Sequence, residues 1–319
     1  MRTTERQRAA LDGGPARGGG KAAVSSGNAT ADGPDATARG QDGAGAETAG
    51  PDAAAGGKTL VALDIDGTLL DWRGRIPRSA ARAVARVLAA PGLELVLATG
   101  RSVYSAMGIA GRIGLDSGWA VCSNGSVTVR LDPALPQGWE AVDCVTFNPA
   151  DAIAAIRRFC PTARLAAEEI GCGFVVTERF PEGELDGAVT VVTDEEMALR
   201  QVTRLVLRAT DLEADAADAL VEQVRLPGVT YAVGWTGWID LNPPGVSKAS
   251  ALEAVRERLG VHPGRTVAIG DGGNDISMLR WAARGVAMGD ARDAVKAAAD
   301  EVTGTIDQRG LARVLETLV

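Results

Sequence analysis

The stretch LVALDIDGTLLD, Leu60–Asp71, decides how this chain is read. Its apolar run fits a strand buried on both faces, which in an open sheet means a parallel strand covered by helices. The run ends in Asp64 and Asp66, two residues apart and followed by Gly67 and Thr68. Residues two apart on an extended segment point to the same side, so the two carboxylates are expected to share one reaction centre. That centre lies at the C-terminal end of a strand, where open α/β sheets bind their ligands.

Working outward, RSAARAVARVLAA (Arg78–Ala90) carries Ala, Val and Leu at helical spacing with arginines between them, directly after Pro77. LELVLATGR (Leu93–Arg101) reads as a second buried strand, and WAVCSNG (Trp119–Gly125) as a third after another helical stretch. The end of the chain repeats the style. VSKASALEAVRERLG (Val246–Gly260) is helical, TVAIGDGGND (Thr266–Asp275) is a strand entering a turn, and shorter strand and helix patterns follow to LARVLETLV. This alternation predicts a doubly wound parallel sheet with helices on both faces.

Between these halves, residues 126–244 differ. VTVRL, AVDCVTF, GFVVTE, VTRLVLRA, VTYAVGW and WIDLN are strand-like, and DAIAAIRRFC and DAADALVEQV are helical. The middle is expected to be an α+β domain inserted into the first, so that residues 58–125 and 245–319 form one unit. Turn residues at both joints, near Ser126 and at Asn242-Pro243-Pro244-Gly245, suit hinges. Residues 1–57, rich in Ala and Gly and nearly free of large apolar side chains, are expected to be a disordered tail.

The 319 residues are 46% hydrophobic, enough for a large core and more than one folded unit. The formal net charge of -8 argues against nucleic acid as the partner, because phosphate-backbone binding needs clustered positive charge. A small phosphorylated ligand needs only a local cation. Four cysteines without a C-x-x-C pair read as reduced thiols of a cytoplasmic protein. His262 is the single histidine and sits in the turn-like GVHPGR, which disfavours zinc sites and histidine-dependent triads. No secretory segment, membrane span or obligate protein partner is expected.

The residues that carry chemistry are acids at strand ends. A carboxylate is ionised near neutral pH, so one aspartate of the first pair can act as a nucleophile without a base, while the other, protonated by crowding, can give a proton to a leaving alkoxide. An anion attacking a phosphate dianion needs a hard cation, and Mg2+ prefers carboxylate and phosphate oxygens. GDGGND supplies Asp271 as the natural ligand at the next strand end, with Asn274 and Asp275 placed to orient phosphate or metal-bound water. Thr99, Gly100 and Arg101 offer a hydroxyl and backbone N–H groups beside a helix start, a phosphate-holding arrangement. Lys248 offers a positive charge at the start of another helix.

DIDGT, ATGR, VSK and GDGGND occur in that order, each in its strand or helix context. In this the chain resembles the haloacid dehalogenase (HAD) superfamily of phosphatases, and SNG (Ser123–Gly125) with VAMGD (Val286–Asp290) is similar to its Cof-type branch, whose cap is a large α/β insert. The resemblance covers residues 58–319. It implies that Asp64 is the nucleophile and forms an aspartyl-phosphate, that Asp66 is general acid and then base, and that Thr99 and Lys248 hold the phosphate. It implies Mg2+ held by Asp64, the Asp66 backbone, Asp271 and, through water, Asp275. Asn124 is placed at the substrate entrance. Asp290 departs from the Asn usual in the branch. The expectation is a Mg2+-dependent hydrolase of a small phosphorylated metabolite, such as a sugar phosphate or a phosphorylated cofactor. A phosphosugar mutase and a catalytically idle phospholigand sensor are the alternatives on the same core.

Overall fold

The computed structural model describes residues 57–209 and 238–319, and the backbone of 230–233. Most of the expected tail, the helical pattern at 215–224 and Trp235 lie outside the described residues.

The chain begins with β1 (Thr59–Leu63), α1 (Arg78–Ala89), β2 (Leu93–Ala98), α2 (Val103–Ile113) and β3 (Gly118–Cys122). Two strands, β4 (Val127–Leu131) and β5 (Trp139–Cys144), come next. The following segment holds α3 (Ala150–Phe159), β6 (Arg164–Glu169), β7 (Gly173–Val176), β8 (Ala188–Val191), α4 (Asp194–Ala198), β9 (Leu205–Arg208), β10 (Thr230–Val233) and β11 (Trp238–Asn242). The chain then adds α5 (Lys248–Arg258), β12 (Thr266–Gly270), α6 (Ile276–Trp281), β13 (Arg284–Ala287), α7 (Asp293–Lys296), β14 (Glu301–Val302) and α8 (Gly310–Glu316).

The first sheet has the order β14-β13-β12-β1-β2-β3-β4-β5. Its first six strands are parallel, with β1 in the middle between β12 and β2. Val61 and Leu63 of β1 pack with α1, α2 and α8 on one face, while Leu60 and Ala62 pack with α5 and α6 on the other. Alternation within an all-apolar run therefore serves two cores, and this is why the strand has no polar side.

The expected boundary at Ser126 needs correction. VTVRL and AVDC, read from sequence as part of the insert, form β4 and β5, which extend the first sheet antiparallel from β3. A tight turn through Ser123–Gly125 returns the chain at once beside β3, so pairing continues across the turn. Strand-like segments at a hairpin carry no mark of the sheet they join. By strand pairing the insert starts beyond Cys144, where Phe147 bridges to Val202.

The second sheet has the order β10-β11-β9-β6-β7-β8. One face is covered by α3 and α4, through Ile153, Ile156 and Met197 against Leu165, Ala167, Leu205 and Ile239. The opposite face carries Ala166, Phe174, Val176 and Val206. By the two-residue period it also carries Glu168, Arg204 and Asp240, and this face meets the loops of the first sheet and the start of α2. No helix of the described residues is long and apolar enough to cross a membrane.

Candidate active site

Strand order brings the acids together. β1 and β12 are adjacent and parallel, with Leu63 paired to Ile269, so the residues after each strand emerge side by side. Carboxylate oxygens of Asp64, Asp271 and Asp275 all lie within 4.8 Å of one another. Gly67 permits this approach: its φ is +80°, and a Cβ there would stand 2.2 Å from Asp271 Oδ2. Thr68 closes the contact by donating its hydroxyl to Asp271 Oδ1 at 2.8 Å.

Lys248 comes from the first turn of α5, a helix capped by Ser247, and has no exposed side-chain surface. Its ammonium donates to Asp64 Oδ1 at 2.7 Å and to Asp275 Oδ1 at 2.5 Å. Asp275 Oδ2 accepts the N–H groups of Asp271 and Gly272 at 2.9 and 2.8 Å. Asp275 therefore spends both oxygens on protein donors and anchors the lysine to the loop. Among the described residues, Asp64 Oδ2 and Asp271 Oδ2 have no such donor.

Two buried acids, Asp64 and Asp275, and the partly buried Asp271 around one lysine leave two negative charges uncompensated, which is costly in a low-dielectric site. The electrostatics show it. Burial, reinforced by the charge of Asp275 and opposed by Lys248, pushes the Asp64 carboxyl well above the usual range. Burial pushes Asp271 up to about 6 despite the Thr68 hydrogen bond. Burial alone would lower the Lys248 ammonium, but Asp275 and Asp64 outweigh it and hold it above its ordinary value. An excess of two charges, hard oxygen donors and two open carboxylate oxygens fit a divalent cation of the Mg2+ type.

Asp66 behaves differently from the expectation of two crowded carboxylates facing one way. β1 ends at Leu63, and Asp66 lies in a turn closed by bonds from Leu69 and Leu70 to the Ile65 carbonyl. Its side chain is 48% exposed, and both oxygens accept from the Arg101 guanidinium, at 2.7 and 2.6 Å. Arg101 also donates to Ser105 Oγ, which in turn donates to Asp186 of the insert. Arg101 thus grips the expected general acid in this conformation.

Thr99 is buried, and its hydroxyl oxygen accepts the Arg101 N–H at 3.0 Å. The turn at Ser123–Gly125 is fastened to the same loop: the Ser123 N–H donates to the Arg101 carbonyl, and the Asn124 N–H to the Thr99 carbonyl. These bonds hold Ser123 and Asn124 at positive φ, 50° and 56°, a conformation that favours glycine. Asn274 donates its amide to Asn124 Oδ1 at 2.9 Å and so tethers this turn to the GDGGND loop. Lys248, Asp64, Asp271 and Asp275 form one cluster, Asp66 and Arg101 an ion pair, and Thr99, Gly100, Asn124 and Asn274 a ring of loop contacts.

Sequence reading passed over Glu168, Arg204 and Asp240, three buried charges of the insert that touch these loops. The available signal was a charge inside two strand-like runs, VTRLVLRA for Arg204 and WIDLN for Asp240, whereas RLAAEE around Glu168 carries no strand-like alternation of its own. Trp238 packs edge-on against Phe180 and donates to Asp240, while Trp72 is exposed beneath Arg73. His262 accepts the Gly264 N–H as a turn residue, and Asp290 accepts that of Ile306.

Against known proteins, the family model of haloacid dehalogenase-like hydrolases matches residues 61–157 and 186–315. A phosphoglycolate phosphatase of Methanoculleus marisnigri is 31% identical over 246 residues, covering 77% of this chain and 90% of that protein. The phosphatase YwpJ of Bacillus subtilis is 25% identical over 82% of this chain and 99% of its own length. Among solved structures, the HAD subclass IIB sugar phosphatase BT4131 superposes with a TM-score of 0.67 at 25% identity, covering 82% of this chain and 99% of that one. BT1666 from Bacteroides thetaiotaomicron does so with 0.67 at 26%, covering 85% and 98%. The fold, the strand-end acids and these matches agree: the chain belongs to the haloacid dehalogenase-like hydrolases, as a phosphatase of the Cof-type branch.

Proposed function

We propose that this enzyme hydrolyses the phosphomonoester of a small phosphorylated metabolite, a sugar phosphate or a phosphorylated cofactor, with Mg2+ and through an aspartyl-phosphate on Asp64. The observation that carries this reading is the buried Lys248 between Asp64 and Asp275, with Asp271 beside them. The names of the relatives support the substrate class, since they include phosphoglycolate and sugar phosphatases.

Asp64 and Asp271 would hold the ion by their open oxygens, and Asp275 would reach it only through water. When bound, the ion supplies positive charge against the repulsion between Asp64 and a phosphate dianion. Lys248 orients the Asp64 carboxylate by its hydrogen bond to Oδ1. The Thr99 hydroxyl and the loop amides hold phosphate oxygens. Asp66 protonates the leaving oxygen and then takes the proton of the hydrolytic water, and it must let go of Arg101 to do so. Arg101 is then free for the substrate.

The test is phosphate release from p-nitrophenyl phosphate with and without Mg2+, in wild type and in Asp64→Asn. Turnover that needs both the ion and Asp64 supports the reading. Phosphate binding without turnover points to a sensor, and turnover by Asp64→Asn contradicts the mechanism.

A further inference from the structure

Arg204 enters from the insert, one residue before β9, and is 4% exposed. Its Nη1 donates to the Gly100 carbonyl of the Thr99–Arg101 loop at 2.5 Å and lies 3.6 Å from Asp240 Oδ2. Its Nε is 3.7 Å from Glu168 Oε2 and has no hydrogen-bond partner among the described residues. The register of β6 and β9, extended by one step from Ala167 and Leu205, puts Glu168 directly opposite Arg204.

These three charges pair with one another and also reach the first domain. Glu168 accepts the Val103 N–H at the start of α2 at 2.8 Å, and the Ser123 hydroxyl donates to its other oxygen. Asp240 accepts from Asn124, whose own oxygen accepts from Asn274. A buried triad of this kind adds little to stability compared with apolar side chains of the same size. What it does here is hold the ATGR, SNG and GDGGND loops in one arrangement.

The Gly100 carbonyl shows how the hold reaches the site. In a trans peptide the C=O and N–H point in opposite directions. With the Gly100 carbonyl drawn to Arg204, the N–H of the same peptide, that of Arg101, is turned to Thr99 Oγ1. This N–H occupies one of the two acceptor lone pairs of the Thr99 hydroxyl, whose proton can then be given to an outside acceptor. Gly100 packs closely against the other loops, since a Cβ on it would stand 2.9 Å from Asn124 Oδ1 and 3.3 Å from Asn274 Nδ2.

We infer that Arg204 is a positioning residue for the phosphate-holding loop, acting through the Gly100–Arg101 peptide on the Thr99 hydroxyl, and that the root of the insert is a fixed wall of the active site. The inference rests on the phosphatase reading above.

A double-mutant cycle between Arg204→Met and Thr99→Ala tests it. It is read both as kcat/KM for p-nitrophenyl phosphate and as affinity for inorganic phosphate by calorimetry with Mg2+. Arg204→Met is expected to lower both by roughly tenfold or more in the wild-type background and by less than about threefold once Thr99 is Ala, because coupled residues are not additive. A purely structural role moves both backgrounds equally, so factors that multiply overturn the assignment, as does an Arg204→Met enzyme with wild-type values. If Arg204→Met does not fold, Arg204→Met/Glu168→Gln/Asp240→Asn, which leaves no unpaired charge in the triad, carries the same cycle. A wild-type protein that neither turns over the ester nor binds inorganic phosphate overturns the phosphatase reading and this one together. A working phosphatase with multiplying factors overturns this one alone.

Discussion

Lys248 Nζ stands 2.7 Å from Asp64 Oδ1 although the two residues are 184 positions apart, and the lysine side chain has no contact with solvent. The contact crosses the whole insert, so it depends on α5 returning the chain to the first sheet. Replacing Lys248 with Met leaves Asp64 and Asp275 buried without their cation, at a cost of about 3–5 kcal/mol. The variant is expected to melt well below wild type, to regain part of the loss in Mg2+, and to lose roughly 100-fold or more in kcat. Calorimetric melts with EDTA or Mg2+, alongside turnover, check this. A melting point unchanged in EDTA would contradict it.

Asp64→Asn acts in the opposite direction on stability. Burial and the neighbouring Asp275 make the charged form of Asp64 expensive, more so than Lys248 compensates. The neutral amide removes that expense, so in EDTA the variant is expected to be more stable by about 1 kcal/mol, a rise of about 2–4 °C. It is expected to release no phosphate. A lower melting point in EDTA would show that the lysine contact outweighs the burial.

Acid pH is expected to weaken the metal site. Burial pushes the Asp271 carboxyl up to about 6 in the folded chain, against an ordinary value of 3.8. Because its folded pKa is raised, the metal-free fold binds more protons than the unfolded chain between these values. The stability of the metal-free protein therefore falls as pH rises through that window. Mg2+ competes with the same protons, so its protection against melting should be small at about pH 5 and large at about pH 8. Equal shifts at both would place the ion elsewhere.

Gly67→Ala tests the close approach of the two strand ends. The substitution forces a side chain into φ +80° and places its Cβ 2.2 Å from Asp271 Oδ2. Backbone strain of this kind costs about 1–3 kcal/mol. Because the clash falls on a carboxylate of the acid cluster, the loss in Mg2+ affinity is expected to exceed tenfold, of the order of 1.4 kcal/mol in binding. Isothermal titration with Mg2+ measures it, and wild-type affinity would contradict the crowding.

The parallel half of the first sheet was legible because a strand buried on both faces must be apolar throughout, as Leu60–Leu63 and Val96–Ala98 are. The convergence of Asp64, Asp271 and Asp275 followed from acids at the ends of two such strands. The placement of β4 and β5 was not legible, since Val127 and Val129 would fill a position in either sheet. The hold of Arg101 on Asp66 was not legible either, because a turn, not an extended strand, carries Asp66 out to the surface. Glu168, Arg204 and Asp240 find their partners across gaps of 65, 104 and 116 positions, and spacing carries no trace of such contacts.

The most direct measurement of the central claim is a search for phosphate on Asp64 itself. Asp66→Asn enzyme, slowed in the step that needs a base, is mixed with p-nitrophenyl phosphate and Mg2+, quenched in acid, digested and weighed by mass spectrometry. A hydroxylamine-labile phosphoryl adduct on the peptide containing Asp64, absent when Asp64 is also changed to Asn, is the predicted result. Wild-type phosphate release with no adduct, or with the adduct on another residue, would contradict the account.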